Sequence, residues 1–502
     1  FPNHPGHLVG GHSMATFNRR RFLQTSGMLA AGAALAACDT APKGGKEAKG
    51  SLTWWDHRAP LRKLHEEIFA KFAKMPGGMP VQFTPQQTDK MGQALQLAKQ
   101  SKQLPDAFTN VGLMLPFPAL VQQGWFSPLD WDDEVLKRFP PGSMVEGIHT
   151  LDGKVYSFPI FTHKQYWAPN WYNKELLEKV GLDPANPPTT YDDFRAACRV
   201  VQKKGGDGVY GWIFNLGQPP RVVEQVGYLA QAAGWGGTLG AVGGGRDFKT
   251  GQFVFDNDAH VTAIEFLLSL AKDKLMFPGS GNLIDKVART RWSAGAAAFY
   301  FDGPWCPGVV DLELKQFSPK VDVGPMLVPD SSTELATYKG PDQGAFFASG
   351  TTKHPDVVSE LMKLFSDTEY HLGLAENMAQ PPLDPTVIEK ADVHPAYRKL
   401  LGLFEGHTFL APNATSNNPE IYKVEQERKP ITPGLGEIVQ GAFSGDVKDL
   451  RKALKELSDK SNAEDERAIA AAKKKGAQVS AEDYTFPDWQ PGADYGPDKY
   501  GK

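Results

Sequence analysis

Residues 301–308 read FDGPWCPG, which sets a tryptophan between Gly303-Pro304 and Cys306-Pro307-Gly308. Proline fixes φ and lacks an N–H, so Trp305 cannot belong to a regular strand or a mid-helix turn. A large flat side chain on so rigid a corner either folds back into the core or is held out to meet something flat. Three carboxylates, Asp56, Asp302 and Asp342, could in principle supply the acid pair that a glycosidase holds about 5–9.5 Å apart. A second set, His57, Arg58, His163 and Lys164, would make a cationic pocket suited to an anion such as a phosphate ester or a uronate. Neither set comes with G-x-S-x-G, H-E-x-x-H or another catalytic signature, so an enzyme is not expected. Three cysteines rule out a disulfide scaffold and a four-cysteine zinc site. The tyrosines show no metal-ligand spacing, so neither metal nor other cofactor is expected. GGGRDFKTG has neither phosphate-loop spacing nor a following Lys-Ser/Thr, and reads as a surface hairpin.

These side chains must be carried by a large scaffold. A chain of 502 residues has room for two or three domains at roughly 100–200 residues each. A net charge of −4 leaves no electrostatic footprint for nucleic acid. LTWWDHR reads as a strand in which Trp54 and Trp55 face opposite sides. The next segment places Leu61, Leu64, Ile68, Phe69 and Phe72 on one helical face. Strand, helix and strand signals follow to LPDAFTNV, and that β-α-β-α-β order predicts a parallel sheet covered by helices. The pattern resumes with NWYNKELLEKVGL, a helix from Tyr191, the strand YGWIFN, a helix from Arg221, the long helix DAHVTAIEFLLSLAKDKL and the strand GAAAFYF. KVDVGPMLVP and GAFFAS are further strands, and the chain is then mostly helical to about residue 475. KELSDKSNAEDERAIAAAKKK reads as an amphipathic helix with a solvated face. Cys198 falls on a helical apolar face and reads as a buried free thiol.

The N-terminal region carries an address. Arg19–Arg21, the apolar run Phe22–Ala37 and small residues before Cys38 have the form of an export signal too short to span a membrane. The arginines resemble a twin-arginine signal, and LAAC resembles a lipobox that would lipidate Cys38 and anchor the chain outside the cytoplasmic membrane. Residues 1–13, before Met14, read as an upstream scar, and 39–50 as a tether.

Taken in order, LPDAF, GWFSPLD, DGKVYSFPI, FNLGQP, RWSAGAAAFYFDGPW, VDVGPMLVP and SGTTKHPDVVSELMKLFSDTEY resemble the bacterial extracellular solute-binding proteins of the carbohydrate type, the maltose/maltodextrin-binding family. The resemblance implies an α/β, two-lobe, periplasmic-binding-protein-like fold (type II) with a mostly parallel sheet in each lobe, a multi-segment hinge and a ligand cleft between lobes. Lobe 1 would take 51–161 with 327–366, and lobe 2 would take 162–326 with 367–480. Residues 1–50 would be leader and 481–502 a tail. It further implies a monomer that captures a sugar or oligosaccharide and delivers it to an ABC permease powered by an ATPase.

A sugar presents an apolar C–H face and a rim of hydroxyls, so its site needs flat aromatics and defined polar groups. By the resemblance Trp305 stacks on a sugar ring, Trp55, Asp56, His57 and Arg58 open into the cleft, and Asn215 and Gln218 form a polar rim. Asp342 and Gln343 fall on a glycine-rich cleft loop, and Gln380 and Tyr422 on later segments. Asn110 falls where the maltodextrin binders carry a stacking tryptophan, and His163 and Lys164 fall near a family acidic ligand. Tyr166 and Trp167, from a longer loop, would replace lost aromatics. The alternative within this class is a charged solute, such as a phosphate ester, a uronate or a polyamine.

Overall fold

A computed structural model describes residues 50–240 and 243–500. The leader, with the expected twin-arginine signal and Cys38, lies outside the described residues.

Two main sheets organise the chain, each over its own core. The first has five strands in the order Val81–Pro85, Leu52–Asp56, Ala107–Phe108, Phe347–Ser349, Phe126–Ser127. Its first three strands in sequence run parallel, linked by the helices Arg62–Phe72 and Thr88–Gln100. The alternation in LTWWD holds: Trp54 is fully buried and stacks on Phe365 at 5.3 Å, while Trp55 is half-buried on the other face. Leu64, Ile68, Phe69 and Phe72 are buried on one side of the Arg62–Phe72 helix, with Leu61 just before it.

The second sheet has four strands in the order Val321–Gly324, Asn170–Asn173, Ala297–Phe301, Tyr210–Ile213. Only Tyr210–Ile213 and Ala297–Phe301 pair in parallel; the other two pairings are antiparallel. In the first sheet Phe347–Ser349 is likewise antiparallel to both neighbours. The expectation of mostly parallel sheets is therefore corrected, and the crossings give the reason. Asn170–Asn173 and Phe347–Ser349 each come soon after the chain passes from one sheet to the other. Such a strand starts at the edge where its neighbours end.

The crossing segments pair with each other. Leu383 N donates to Ile160 O at 2.9 Å, and Thr162 N donates to Pro381 O at 3.1 Å. Thr337–Lys339 runs parallel to Thr408–Leu410. Two stretches sit with a different core from the one expected. Tyr370, Leu374 and Leu383 join the first core, where they complete the face of the Arg62–Phe72 helix. Gly373 comes so close to Leu64 that a Cβ there would lie 2.4 Å from its Cδ1. Leu327 and Val328 join the second core.

The C-terminal tail is built into the fold. Phe486, Trp489 and Tyr495 are buried with Phe248 and Tyr338, and Phe486 N donates to Phe248 O at 2.8 Å. The glycine-rich stretch turns back as a hairpin bridged at Gly237 and Asp247, with Gly236 directly under the Trp489 ring. The charged helix Leu450–Lys474 is not wholly solvated. Its Asp465 is buried, takes Arg246 through two contacts at 2.8 and 2.9 Å, and also pairs with Arg428. Cys198 and Cys306 are both buried and unpaired. Among the described residues no helix is long and apolar enough to cross a membrane.

Candidate ligand-binding site

In open α/β sheets, ligands lie beyond the carboxyl ends of the strands. In the second sheet Ile213 is level with Tyr300, and Asn170 with Phe301. Asn215 and Asp302 therefore leave the sheet at one edge, and Trp167 enters it there. The helix Pro219–Ala232 begins just beyond Asn215, so its first turn delivers Arg221 to the same edge.

Trp305 stands immediately before the helix Cys306–Glu313, with Pro307 in that helix's first turn. Its indole folds back over Gly303, where a Cβ would lie 2.3 Å from ring atoms. Gly308 is equally constrained, because a Cβ there would lie 2.5 Å from Asn377 O and 2.6 Å from Met378 O. The glycines of FDGPWCPG thus seat the ring and dock its helix. Trp305 and Trp167 meet edge to face, centroids 5.5 Å apart at 71°, and both are half-buried. The Arg221 guanidinium lies 5.0 Å from the Trp305 centroid and 5.8 Å from that of Trp167. Arg221 is only 8% exposed, yet Nε, Nη1 and Nη2 make no hydrogen bond.

The neighbouring groups are differently committed. Asp302 is fully buried, and Arg289 grips its Oδ2 at 2.7 Å through both Nε and Nη2. Asp302 Oδ1 accepts from Gly303 N at 2.8 Å and lies 3.9 Å from Arg221. Asp302 is thus committed as a brace of the corner, held by Arg289 and the Gly303 amide. Asn215 is fully buried with neither amide atom hydrogen-bonded, and Asn170 shares that condition. Gln218 accepts from Asp285 N at 3.0 Å, which turns it toward the next helix. Tyr166 is fully buried against Phe404, so only Trp167 of the loop pair reaches the edge. Adjacent residues in the loop point to opposite sides, and Phe404 offers a pocket to just one.

At the corresponding edge of the first sheet, Asp56 turns inward. It is 1% exposed, lies 2.7 Å from His65 Nδ1, and accepts from the Trp54 indole and the Arg58 amide. Burial pushes its carboxyl up, but His65 and these donors more than offset that and hold it at about 2. His57 sits 2.9 Å from Thr109 Oγ1. Burial, followed by the charge of Arg58, lowers His57 to about 3. Burial likewise lowers His163 to about 4. Both imidazoles are neutral near pH 7, so the expected cationic set reduces to Arg58 and Lys164. Arg58 packs over Phe161 at 5.3 Å, beside the crossing. Lys164, Asn110 and Gln380 are half-buried, and Gln343 is exposed. Asp342 is paired with Lys339 at 2.9 Å. Each of the three carboxylates considered for a hydrolase thus has its own cation or imidazole partner.

The turn Ala59–Leu61, which follows the first strand, packs beside the Cys306–Glu313 helix, so the two sheet edges approach each other at the Trp305 corner. Tyr422 lies elsewhere. It accepts from Gln122 and lines a cavity of about 240 Å³ with Glu146, Asp152, Tyr156 and Pro419. Sequence reasoning missed Arg221, Asn170 and Glu224, which follows Arg221 by one helical turn. The available signal was position: Arg221 is in the first turn of a helix that directly follows a parallel strand.

A family model described as bacterial extracellular solute-binding protein matches residues 67–399. An uncharacterised ABC-transporter extracellular-binding protein of Pyrococcus horikoshii is 22% identical over 261 residues, 50% of this chain and 52% of that protein. The chain thus spans about half the length of that curated relative. Solved structures share the fold across most of the chain. A Thermotoga lettingae solute-binding protein bound with α-D-tagatose is 18% identical, covers 83% of this chain and 100% of its own, and gives a TM-score of 0.61. The Thermus thermophilus maltotriose-binding protein is 19% identical with the same coverages and a TM-score of 0.59. The sugar-binding protein MalE from Xanthomonas citri is 17% identical over 86% of this chain and 100% of its own, with a TM-score of 0.55. The two sheets are the two lobes of that architecture, and the chain belongs to the bacterial extracellular solute-binding proteins.

Proposed function

We propose that this protein captures a sugar or oligosaccharide between its lobes, by aromatic stacking and hydroxyl hydrogen bonding, and delivers it to an ABC permease. The observation that carries the reading is the Trp305–Trp167 pair at the carboxyl edge of the second sheet, both rings half-exposed, with Arg221 beside it and the unbonded amides of Asn215 and Asn170 buried at the same sheet edge. Aromatic faces plus defined donors and acceptors are what a sugar ring requires. Support also comes from relatives of the same fold that bind tagatose and maltotriose. Membership of an extracellular family places the chain outside the cytoplasm. Twin-arginine export and lipidation at Cys38 complete the reading.

Titration of the full chain with mono- and oligosaccharides, followed by intrinsic tryptophan fluorescence and calorimetry, tests it. Saturable binding without turnover is the expected result. A flat response across the panel would sink the proposal.

A further inference from the structure

We infer that the ligand carries a carboxylate on its sugar ring, held by Arg221 while the ring meets Trp305 and Trp167. This rests on the sugar reading and sharpens it. A buried charge is costly unless it is paired and hydrogen-bonded. Around Arg221 the other ionic groups are held chiefly by other partners, and none hydrogen-bonds to it, Asp302 Oδ1 standing 3.9 Å from Nη2. Asp302 is taken by Arg289 through two contacts at 2.7 Å, and Lys339 is taken by Asp342 at 2.9 Å. Glu224 does not hydrogen-bond to Arg221, and burial pushes its carboxyl up, toward the neutral form, by more than the nearby charges of Arg221 and Lys339 lower it. A guanidinium that is 8% exposed is left with three nitrogens that make no hydrogen bond. Its planar fork matches a carboxylate through two parallel hydrogen bonds. Asn215 and Asn170, both fully buried at the same sheet edge, have unpaired amides that suit ring hydroxyls. The cage around the guanidinium is aromatic, which selects a flat-faced carrier for the anion over a free inorganic ion.

The test is calorimetry of the full chain with glucuronate, galacturonate, mannuronate and guluronate, each as monosaccharide and disaccharide. The matching neutral sugars and hexose phosphates form the comparison arms. At least one uronate is expected to bind tenfold or more tighter than its neutral counterpart. Arg221→Gln should abolish that preference with an unchanged far-UV circular dichroism spectrum. Arg221→Lys, which keeps the charge but not the fork, should retain only part of it. Neutral sugars binding as well as every uronate would overturn the inference and leave the sugar reading standing. Phosphates binding in place of uronates would overturn the carboxylate assignment. No binding by any arm would remove both readings.

Discussion

Replacing Trp305 by alanine separates a ligand platform from a core residue. The indole is half-exposed, seated on Gly303, edge to face with Trp167 at 5.5 Å and beneath Arg221 at 5.0 Å. A sugar face laid on its open part would remove on the order of 100 Å² of apolar surface from water, counting both partners. At ~25 cal/mol per Å² this is worth about 2.5 kcal/mol, or roughly 60-fold in Kd. The cost to the unliganded fold is of a different kind. An edge-to-face pair is worth ~0.5–1.5 kcal/mol and a cation–π contact about 1. Removing both lowers stability by about 1–3 kcal/mol, against ~3–5 for deleting a fully buried tryptophan. Calorimetric titration gives the first quantity and scanning calorimetry of the unliganded chain gives the second. Trp305→Phe, which keeps a smaller platform, should lose less than tenfold in Kd. The reasoning is refuted if Trp305→Ala leaves Kd within threefold of the parent. It is equally refuted if unliganded Trp305→Ala loses its cooperative transition, because the ring then belongs to the core.

Three further outcomes follow from the packing and the buried charges. Gly308→Ala puts a Cβ 2.5 Å from a backbone carbonyl oxygen that cannot swing away, so stability should drop by about 1–3 kcal/mol, read as a lower Tm. Asp465→Asn leaves Arg246 and Arg428 without their shared carboxylate, and should cost about 3–5 kcal/mol in denaturant unfolding while the Trp305 corner still binds ligand. Stability should also fall as pH is lowered from 7 to 5. Burial lowers His149 to about 4 and His260 to about 3, and both are essentially inaccessible. These imidazoles stay neutral in the folded chain but take up protons near pH 6.5 when unfolded, so each removes about 2 kcal/mol by pH 5. Asp56, held at about 2, contributes nothing to that window, since its stabilisation is lost only below about pH 4. A Tm constant between pH 7 and pH 5 would contradict the assignment.

What could be read in advance depended on the distance over which each residue's environment is decided. The strand alternation that buries Trp54 and half-exposes Trp55, and the helical face of Leu64, Ile68 and Phe72, are written in periods of a few residues. The corner FDGPWCPG was legible for the same reason, since its prolines and glycines act on their immediate neighbours. Asp56 and Asp302 were not, because a carboxylate's direction is settled by the partner that reaches it. Asp56 is claimed by His65, from a helix face that reads as core, and Asp302 by Arg289, from a helix leading into the other end of its strand. Tyr166 and Trp167 differ by one place in an aperiodic loop, and only Phe404, far along the chain, distinguishes them. Arg221 sits at the opposite pole from these carboxylates. Behind two prolines it reads as an ordinary first turn of a helix, and the folded chain brings it aromatic faces but no hydrogen-bonding partner. Where the carboxylates are explained by a residue elsewhere in the chain, Arg221 has only Asp302 at 3.9 Å and no hydrogen bond, the opening that the proposed sugar carboxylate would fill.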